Sequence, residues 1–305
     1  MSSHYLGIDI GGTAARWVLC DQSGTEVARG ATSGATGHVF NPVERERLST
    51  VLGTIAGEVG ASSFAPSGVA AGITGFGSVV EAEVKQLIAA AFRLPPTSLT
   101  VIDDIMLAYI GVFAPGEGHL VSAGTGSIGL HLSPEAGYVR VGGRGILIDD
   151  AGSGAWIALR ALDHIYRGYD RHASFGADSV LAEELLGAIG GSSWDDVRQF
   201  VYGGDRGRIG TLSVAVARAA TRGDAAAAAI LRAAGTELAR LATALVRRAG
   251  SLPVALVGRV LDLHLVVREQ VARMLAAETV HVRRSDAALA AARLQTNSLG
   301  VALQA

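Results

Sequence analysis

The chain has 305 residues, 49% hydrophobic and 18% charged, a globular composition long enough for two domains with cores of their own. Its 28 acidic and 26 basic residues leave a formal net charge of −2, and no basic run is dense enough to follow a phosphate backbone, so nucleic acid is excluded as an expected partner. The one cysteine, Cys20, rules out an internal disulfide, nothing before Gly7 reads as a secretory signal, and no window approaches 18 uninterrupted apolar residues; the expected location is cytoplasmic, with no membrane partner.

From Tyr5 to Gly30 the pattern runs apolar strand, glycine turn, apolar strand (RWVLCD), a turn at QSG and a third strand EVARG, which predicts a three-stranded antiparallel meander. The segment from Gly118, GHLVSAGTGSIGLHLSPEAGYVRVGG, repeats this plan with PEAG as its turn. Gly11 and Gly124, Gly24 and Gly137, and Gly30 and Gly143 keep one offset, which reads as an internal duplication. Helical sequence follows each meander: VVEAEVKQLIAAAF after the first and GAWIALRALDHIYRGY after the second. Between them PGEG, residues 115 to 118, separates the helical IMLAYIGVF from the next strand and is expected to be the crossing between domains and a hinge. Beyond Ser193 helices dominate: WDDVRQFVY, TLSVAVARAATRGD and the alanine-rich run to Ala249, with Gly223 and Gly250 as stops. LPVALVGRV reads as a buried strand ending in a glycine turn, and a last helix near Ser285 to Leu294 is expected to pack back on the first domain.

The run GIDIGGTAARWVL, residues 7 to 19, places Asp9 inside an apolar strand. Burying even a neutral polar group without a partner costs about 2–7 kcal/mol, so Asp9 needs compensation. Two glycine hairpins, GGT at 11 to 13 and GTGS at 124 to 127, can present backbone N–H groups and hydroxyls to a phosphate chain. A magnesium ion on those phosphates, keeping several waters and using one or two carboxylates, is the expected partner of Asp9. A Walker A loop is absent: Lys85, the only lysine, has no glycine-rich loop before it. GTGSIG also matches GxGxxG, but the following IGLHL alternates like a strand where a dinucleotide fingerprint needs a helix.

GIDIGGT, VIDDIMLA, SAGTGS, GGRGILIDDAGSGAW and VALVGRV, in this order, resemble the motifs of the N-acetylglucosamine kinase branch of the sugar kinase, chaperone and actin ATPase superfamily, grouped with the BadF/BadG/BcrA/BcrD ATPases. The resemblance implies an α/β fold of two ribonuclease H-like, actin-type ATPase domains around a central cleft. The domains would be residues 1–115, with the C-terminal helix 285–305 packing back, and 116–284. It implies ATP and Mg²⁺ as cofactors, an amino sugar as substrate and possible homodimers. By the same resemblance Asp9 serves the metal; Gly11, Gly12, Thr13, Arg16, Gly124, Thr125, Gly126 and Ser127 hold the ATP phosphates; and Gly258 borders the adenosine. Asp104 is implied as the base for the sugar's 6-hydroxyl, with Asp103 a weaker candidate; the pair also suits a helix N-cap. His38, standing where the family has asparagine, and Thr74, Asp104 and Asp150 are implied at the sugar.

The alternative for Asp149 and Asp150, given less weight, is a solvated acidic turn capping the next helix. Several positions depart from the family pattern: Ala14 follows GGT, with Arg16 one pleat on; Arg144 replaces a tryptophan, Asp149 a glycine and Ala151 a glutamate. The expected reaction is transfer of phosphate to the 6-hydroxyl of N-acetylglucosamine, with glucosamine as the alternative sugar. Of the other classes, an activator ATPase built on a cluster bridging a dimer needs two cysteines per subunit, and the chain has one. A sugar-sensing regulator would normally carry a DNA-binding segment, and none precedes Gly7.

Overall fold

The structure is a computed structural model that describes residues 3–62, 64–135, 137–176 and 179–296. The chain forms two compact units: residues up to Phe113 together with the segment from Ser285, and Ala114–Arg284.

The first unit opens with the meander β1 (His4–Ile10), β2 (Ala14–Cys20) and β3 (Glu26–Ser33), paired antiparallel in sequence. Helix α1 (Pro42–Ala61), which the glycines at 53, 57 and 60 hide from a periodicity reading, starts where the Asn41 side chain accepts the Val43 N–H. It buries Leu48, Val51, Leu52, Ile55 and Val59. Strand β4 (Pro66–Ile73), helix α2 (Glu81–Phe92), strand β5 (Leu99–Asp103) and the short helix α3 (Asp104–Ile110) follow. β4 and β5 are short apolar runs lying parallel to β1, and the sheet order is β3-β2-β1-β4-β5.

The second unit repeats the plan with β6 (His119–Ala123), β7 (Ser127–Ser133) and β8 (Gly137–Gly142). Helices α4 (Gly154–His172), α5 (Val180–Ile189), α6 (Trp194–Tyr202), α7 (Arg206–Thr211), α8 (Ser213–Thr221) and α9 (Ala225–Ala249) follow. β9 (Val254–Val257), α10 (Leu265–Met274) and β10 (Val280–Val282) complete the sheet in the order β8-β7-β6-β9-β10, the same arrangement as the first. Two of the glycine pairs mark equivalent places: Gly11 and Gly124 open the hairpins after β1 and β6, and Gly24 and Gly137 both take positive φ, 78° and 75°. The third pair does not. Gly30 lies inside β3 opposite Trp17, whereas Gly143 follows β8 at φ 67°, because the five-residue connection 21–25 and the three-residue connection 134–136 give the two hairpins different registers.

The turn at 115–118, expected as the hinge, is fastened within the second unit. The Gly116 N–H donates to the Leu132 carbonyl at 2.8 Å, and the Glu117 N–H to that of Ala114 at 3.1 Å. The two compact units divide two residues earlier, between Phe113 and Ala114.

Helix α11 (Ala287–Thr296) returns to the first unit and buries Ala287, Ala288, Ala291 and Ala292. These small faces let it lie directly on the sheet, Ala288 and Ala292 against Val18 and Cys20, Ala287 and Ala291 against Ala70 and Leu107. Residues 297–305 of the expected returning segment lie outside the described residues. At the closest point a Cβ on Gly7 would stand 2.0 Å from the Ala288 carbonyl oxygen and 2.2 Å from the Ala292 nitrogen, backbone atoms that cannot swing away. Gly7→Ala is therefore expected to destabilise the first unit by about 3 kcal/mol or more, since overpacking costs about 1–3 kcal/mol even where side chains can yield. Chemical denaturation checks it; a midpoint unchanged from wild type would contradict this packing. Among the described residues no helix is long and apolar enough to cross a membrane.

Candidate active site

In the first unit three parallel strands end together, and in open α/β sheets ligands gather at such carboxyl ends. In register Asp9 of β1 stands beside Gly72 of β4, and Ile73 of β4 beside Asp103 of β5. The Thr74 N–H donates to the Ile10 carbonyl at 2.9 Å, so Thr74 is held where β4 leaves the sheet.

Asp103 is the N-cap of α3: its side chain accepts the Ile105 N–H at 3.4 Å. Asp104 is the first residue of the helix proper. Its carboxyl is hydrogen-bonded to the side chains of Asp103 and Thr74 and feels the charge of Asp9. Burial pushes the Asp104 carboxyl well above the usual carboxylate range; Asp103 and Asp9 add to this, and the Thr74 hydroxyl, donating to the carboxylate, pulls the other way. The strand ends thus bring together Asp9, Thr74, Asp103 and Asp104.

Asp9 meets a charged neighbour across the hairpin. Arg16 is its direct cross-strand partner, with Nη1 3.9 Å from Oδ2, although the arginine is 58% exposed. So loose a pair leaves the carboxyl underserved. Burial, opposed by Arg16 and reinforced by Asp286, raises it to about 6. A half-buried carboxylate held this unfavourably suits a cation. Among the described residues no group of three or more His, Cys, Asp or Glu side chains is arranged to hold a metal by itself. A magnesium ion, which typically takes one or two protein carboxylates and completes its shell with waters and phosphate oxygens, would need no more of the protein than Asp9.

Residues 11–13 form the turn between β1 and β2. Its carbonyls are engaged from behind: the Ala35 N–H donates to Gly11 O at 3.2 Å, and Arg47 of α1 reaches Gly12 O at 3.1 Å and Gly34 O at 2.8 Å. Gly12 has no positive φ, and a Cβ there would meet nothing within 4 Å. Thr13 is exposed beside it. The open space beside Gly12 leaves its backbone accessible to a ligand. Gly124 is in the same position, its Cβ also meeting nothing within 4 Å.

His38 is exposed on the loop after β3 and stacks at 5.5 Å on Phe40. Its ring covers Gly75, where a Cβ would fall 2.5 Å from Nε2, and the Gly37 N–H donates to the Thr74 carbonyl at 2.9 Å. The loop thereby places His38 next to Thr74.

The second unit carries the remaining expected residues. The GTGS hairpin is directly followed by strand β7, as the alternating IGLHL requires. It is clasped by the start of α4: Gly154 N–H donates to Gly124 O at 2.9 Å, Ala155 N–H to Thr125 O at 3.4 Å, and Ser127 Oγ to Ala151 O at 2.8 Å. The N-cap of α4 is Ser153, accepting the Trp156 N–H, so Asp149 and Asp150 do not form the capping turn that was the alternative for them. Nor is Asp150 solvated. It is 1% exposed, takes φ 62°, and accepts backbone N–H groups of Ser127 and Gly145. Asp150, implied at the sugar, lies against Gly126, where a Cβ would fall 3.0 Å from its Oδ2. Asp149 pairs with Arg144 at 3.5 Å. Gly258 ends β9 at φ 109°, and a Cβ would lie 2.2 Å from Ala123 O, so close packing against β6 by itself demands glycine there.

Arg47 and Arg206, the latter 3.4 Å from Asp150, escaped the sequence reading because neither sits in a motif; each acts on backbone or acid distant in sequence.

A family model described as the BadF/BadG/BcrA/BcrD ATPase family matches residues 6–292. The chain belongs to that family. Among curated proteins, an N-acetylmuramic acid/N-acetylglucosamine kinase of Clostridium acetobutylicum is 30% identical over 142 residues, 46% of this chain and 45% of that protein. A glucosamine kinase of Vibrio cholerae, GspK, is 31% identical over 170 residues, 55% and 56% of the two chains. The chain thus spans about half the length of the curated relatives it matches. A candidate N-acetylglucosamine kinase from Chromobacterium violaceum superposes over 96% of this chain and 99% of its own with a TM-score of 0.73 at 24% identity. A glucokinase of the ROK family from Streptomyces griseus, in complex with glucose and AMPPNP, gives 0.61 at 16% identity, covering 96% and 99%. At these identities the structural likenesses establish the fold, the α/β arrangement of actin-like ATPases shared by sugar kinases.

Proposed function

We propose that the chain is an ATP-dependent kinase of an amino sugar, phosphorylating the 6-hydroxyl of N-acetylglucosamine. The observation that carries this reading is the Asp104 carboxyl, hydrogen-bonded to Thr74 and Asp103 at the strand ends beside Asp9. Phosphoryl transfer needs chiefly positioning and charge stabilisation, with a carboxylate to orient and deprotonate the attacking hydroxyl. Asp104 in its ionised form accepts the hydroxyl proton while the phosphoryl group passes from ATP to the sugar oxygen and ADP leaves. Thr74, donating to the same carboxyl, fixes its orientation, and His38 on the adjacent loop offers a ring nitrogen to a sugar hydroxyl. Gly12 and Thr13, and in the other unit Thr125 and Gly126, offer amides and hydroxyls to phosphate oxygens, on turns shaped by Gly11, Gly124 and Ser127, whose own N–H groups are engaged within the protein, with Gly258 beside the adenosine. Asp9 would hold Mg²⁺ through its waters, Arg16 adding positive charge nearby; bound there, the ion would neutralise phosphate charge.

The amino-sugar class is supported by the names of both curated relatives, and the Vibrio cholerae protein supports glucosamine as a second reading. The activator reading has less to rest on, because Cys20 is fully buried in β2. ADP release measured against N-acetylglucosamine, N-acetylmuramic acid, glucosamine and glucose tests the assignment. N-acetylglucosamine is expected to exceed glucosamine by about tenfold or more in kcat/KM, the discrimination one substituent commonly supports. A preference for glucosamine transfers the assignment to the second reading, and no turnover with any sugar overturns the kinase.

A further inference from the structure

Asp150 combines three features that rarely occur together without a purpose: a carboxylate that is 1% exposed, a left-handed backbone at φ 62° on a non-glycine residue, and an arginine reaching it from a distant helix. Strained conformations of this kind persist only where the surroundings over-determine them. Here the surroundings are the back of the 124–127 hairpin. Asp150 accepts the N–H groups of Ser127 and Gly145, and a Cβ on Gly126 would lie 3.0 Å from its Oδ2. The hairpin is thus seated on the carboxylate, while the adjoining residues 151, 154 and 155 bind its carbonyls and hydroxyl.

Arg206 is the first residue of α7, where the helix dipole disfavours a positive charge. Its Nη1 lies 3.4 Å from Asp150 Oδ2, and its side chain remains 39% exposed. Helix α7 also touches the hairpin elsewhere: Gly210 faces the Thr125 methyl and the backbone at Gly154 and Ala155.

We propose that Arg206 is a positioning residue for the 124–127 hairpin, acting through Asp150, so that the hairpin amides keep the arrangement in which they meet nucleotide phosphate. The inference rests on the reading of that hairpin as a phosphate binder. An ionised Asp150 can accept both backbone N–H groups, whereas a protonated one turns an acceptor oxygen into a donor and gives up part of that grip. Burial favours the protonated form and Arg206 opposes it; Asp149, one residue back and paired with Arg144, slightly favours the proton as well. Without Arg206 the latch loosens at the acidic end of the working range and recovers where the solution removes the proton.

The full-length chain carrying Arg206→Gln or Arg206→Lys tests this. Arg206→Gln is expected to raise KM for ATP about tenfold at pH 6, as for loss of one charged hydrogen bond, with KM for the sugar unchanged and the defect shrinking toward pH 8.5. Arg206→Lys should restore most of the affinity at both pH values. Hydrogen exchange at the Ser127 and Gly145 amides, compared with wild type at each pH, should accelerate in Arg206→Gln at pH 6 and in neither variant at pH 8.5. A KM defect equal at all pH values, a defect in sugar KM alone, or unchanged exchange at both amides overturns the proposal. Exchange responds whether or not the protein turns over ATP, so accelerated exchange in a protein lacking any sugar-dependent turnover would retain the latch and sink the kinase reading instead. Should Arg206→Gln fail to fold, Arg206→Lys carries the same comparisons alone, and wild-type exchange in it at both pH values is the expected result, acceleration at pH 8.5 the overturning one.

Discussion

Asp104→Asn is expected to lower sugar-dependent ATP turnover by about a thousandfold while ATP affinity stays within about twofold, the range general-base catalysis commonly supplies. The substitution keeps the shape and the hydrogen bond to Thr74 but removes the capacity to take a proton. Rate measurements with N-acetylglucosamine, together with a direct nucleotide-binding titration, separate the two effects. Near-native turnover in the variant would eliminate Asp104 as the base. The wild-type pH profile gives an independent check. Burial, the hydrogen-bonded Asp103 and the charge of Asp9 all raise the Asp104 carboxyl in the folded protein, and a base works only when ionised. Turnover must therefore rise with pH through that elevated value, placing the acid limb above the ordinary carboxylate range. Because Asp103 and Asp104 interact closely, the limb reports the pair rather than either residue alone.

How much of this was legible beforehand varied with the kind of signal. The meanders were, because period-two alternation broken by glycine turns is a local pattern, and β1–β2–β3 and β6–β7–β8 follow it. Helix α9 and the start of α6 at Ser193 were legible for the same local reason, a capped periodic stretch ended by glycine or polar residues. Strands β4 and β5 were not: PSGVAAGI and LTVID are brief apolar runs buried in a parallel sheet, with no alternation to set them apart from a helical fragment. Helix α1 carries Gly53, Gly57 and Gly60, each costing about 1 kcal/mol against alanine, and is kept helical by its cap and its buried stripe. At the site, Asp9 and Asp104 stood in recognisable motifs, GIDIGGT and VIDDIMLA, at strand ends. The placement of Asp150 was obscured because burial depends on what packs over a loop, here the hairpin and Arg206 some fifty residues on. The cross-strand meeting of Asp9 and Arg16 follows from the register of β1 with β2, which the hairpin length alone would have supplied.

Asp9→Asn is expected to make the first unit more stable at pH 8 and catalytically idle. The folded value of Asp9 is about 6 against an ordinary 3.8, so between those values the folded chain holds a proton that the unfolded chain has released. Stability from this group is accordingly complete below about pH 4 and is lost as the pH climbs through 6, the reverse of an ion-paired carboxylate. The gap corresponds to at most about 3 kcal/mol at pH 8, and the exposed Arg16 guanidinium, screened by water, recovers little of it. Asparagine removes the charge and with it the penalty. Denaturant unfolding of the two proteins should show the variant ahead by about 1–3 kcal/mol at pH 8 and level with wild type at pH 4. Adding ATP with Mg²⁺ should stabilise the wild type and leave the variant almost unmoved, because only a ligand that binds the native state shifts the equilibrium. A variant less stable at pH 8, or equally stabilised by the nucleotide and metal, would mean that Asp9 is a structural acid satisfied by Arg16. If both results hold, the proposed account of a carboxylate retained inside an apolar strand at a net cost to folding is the cation that Asp9 would meet in the bound state.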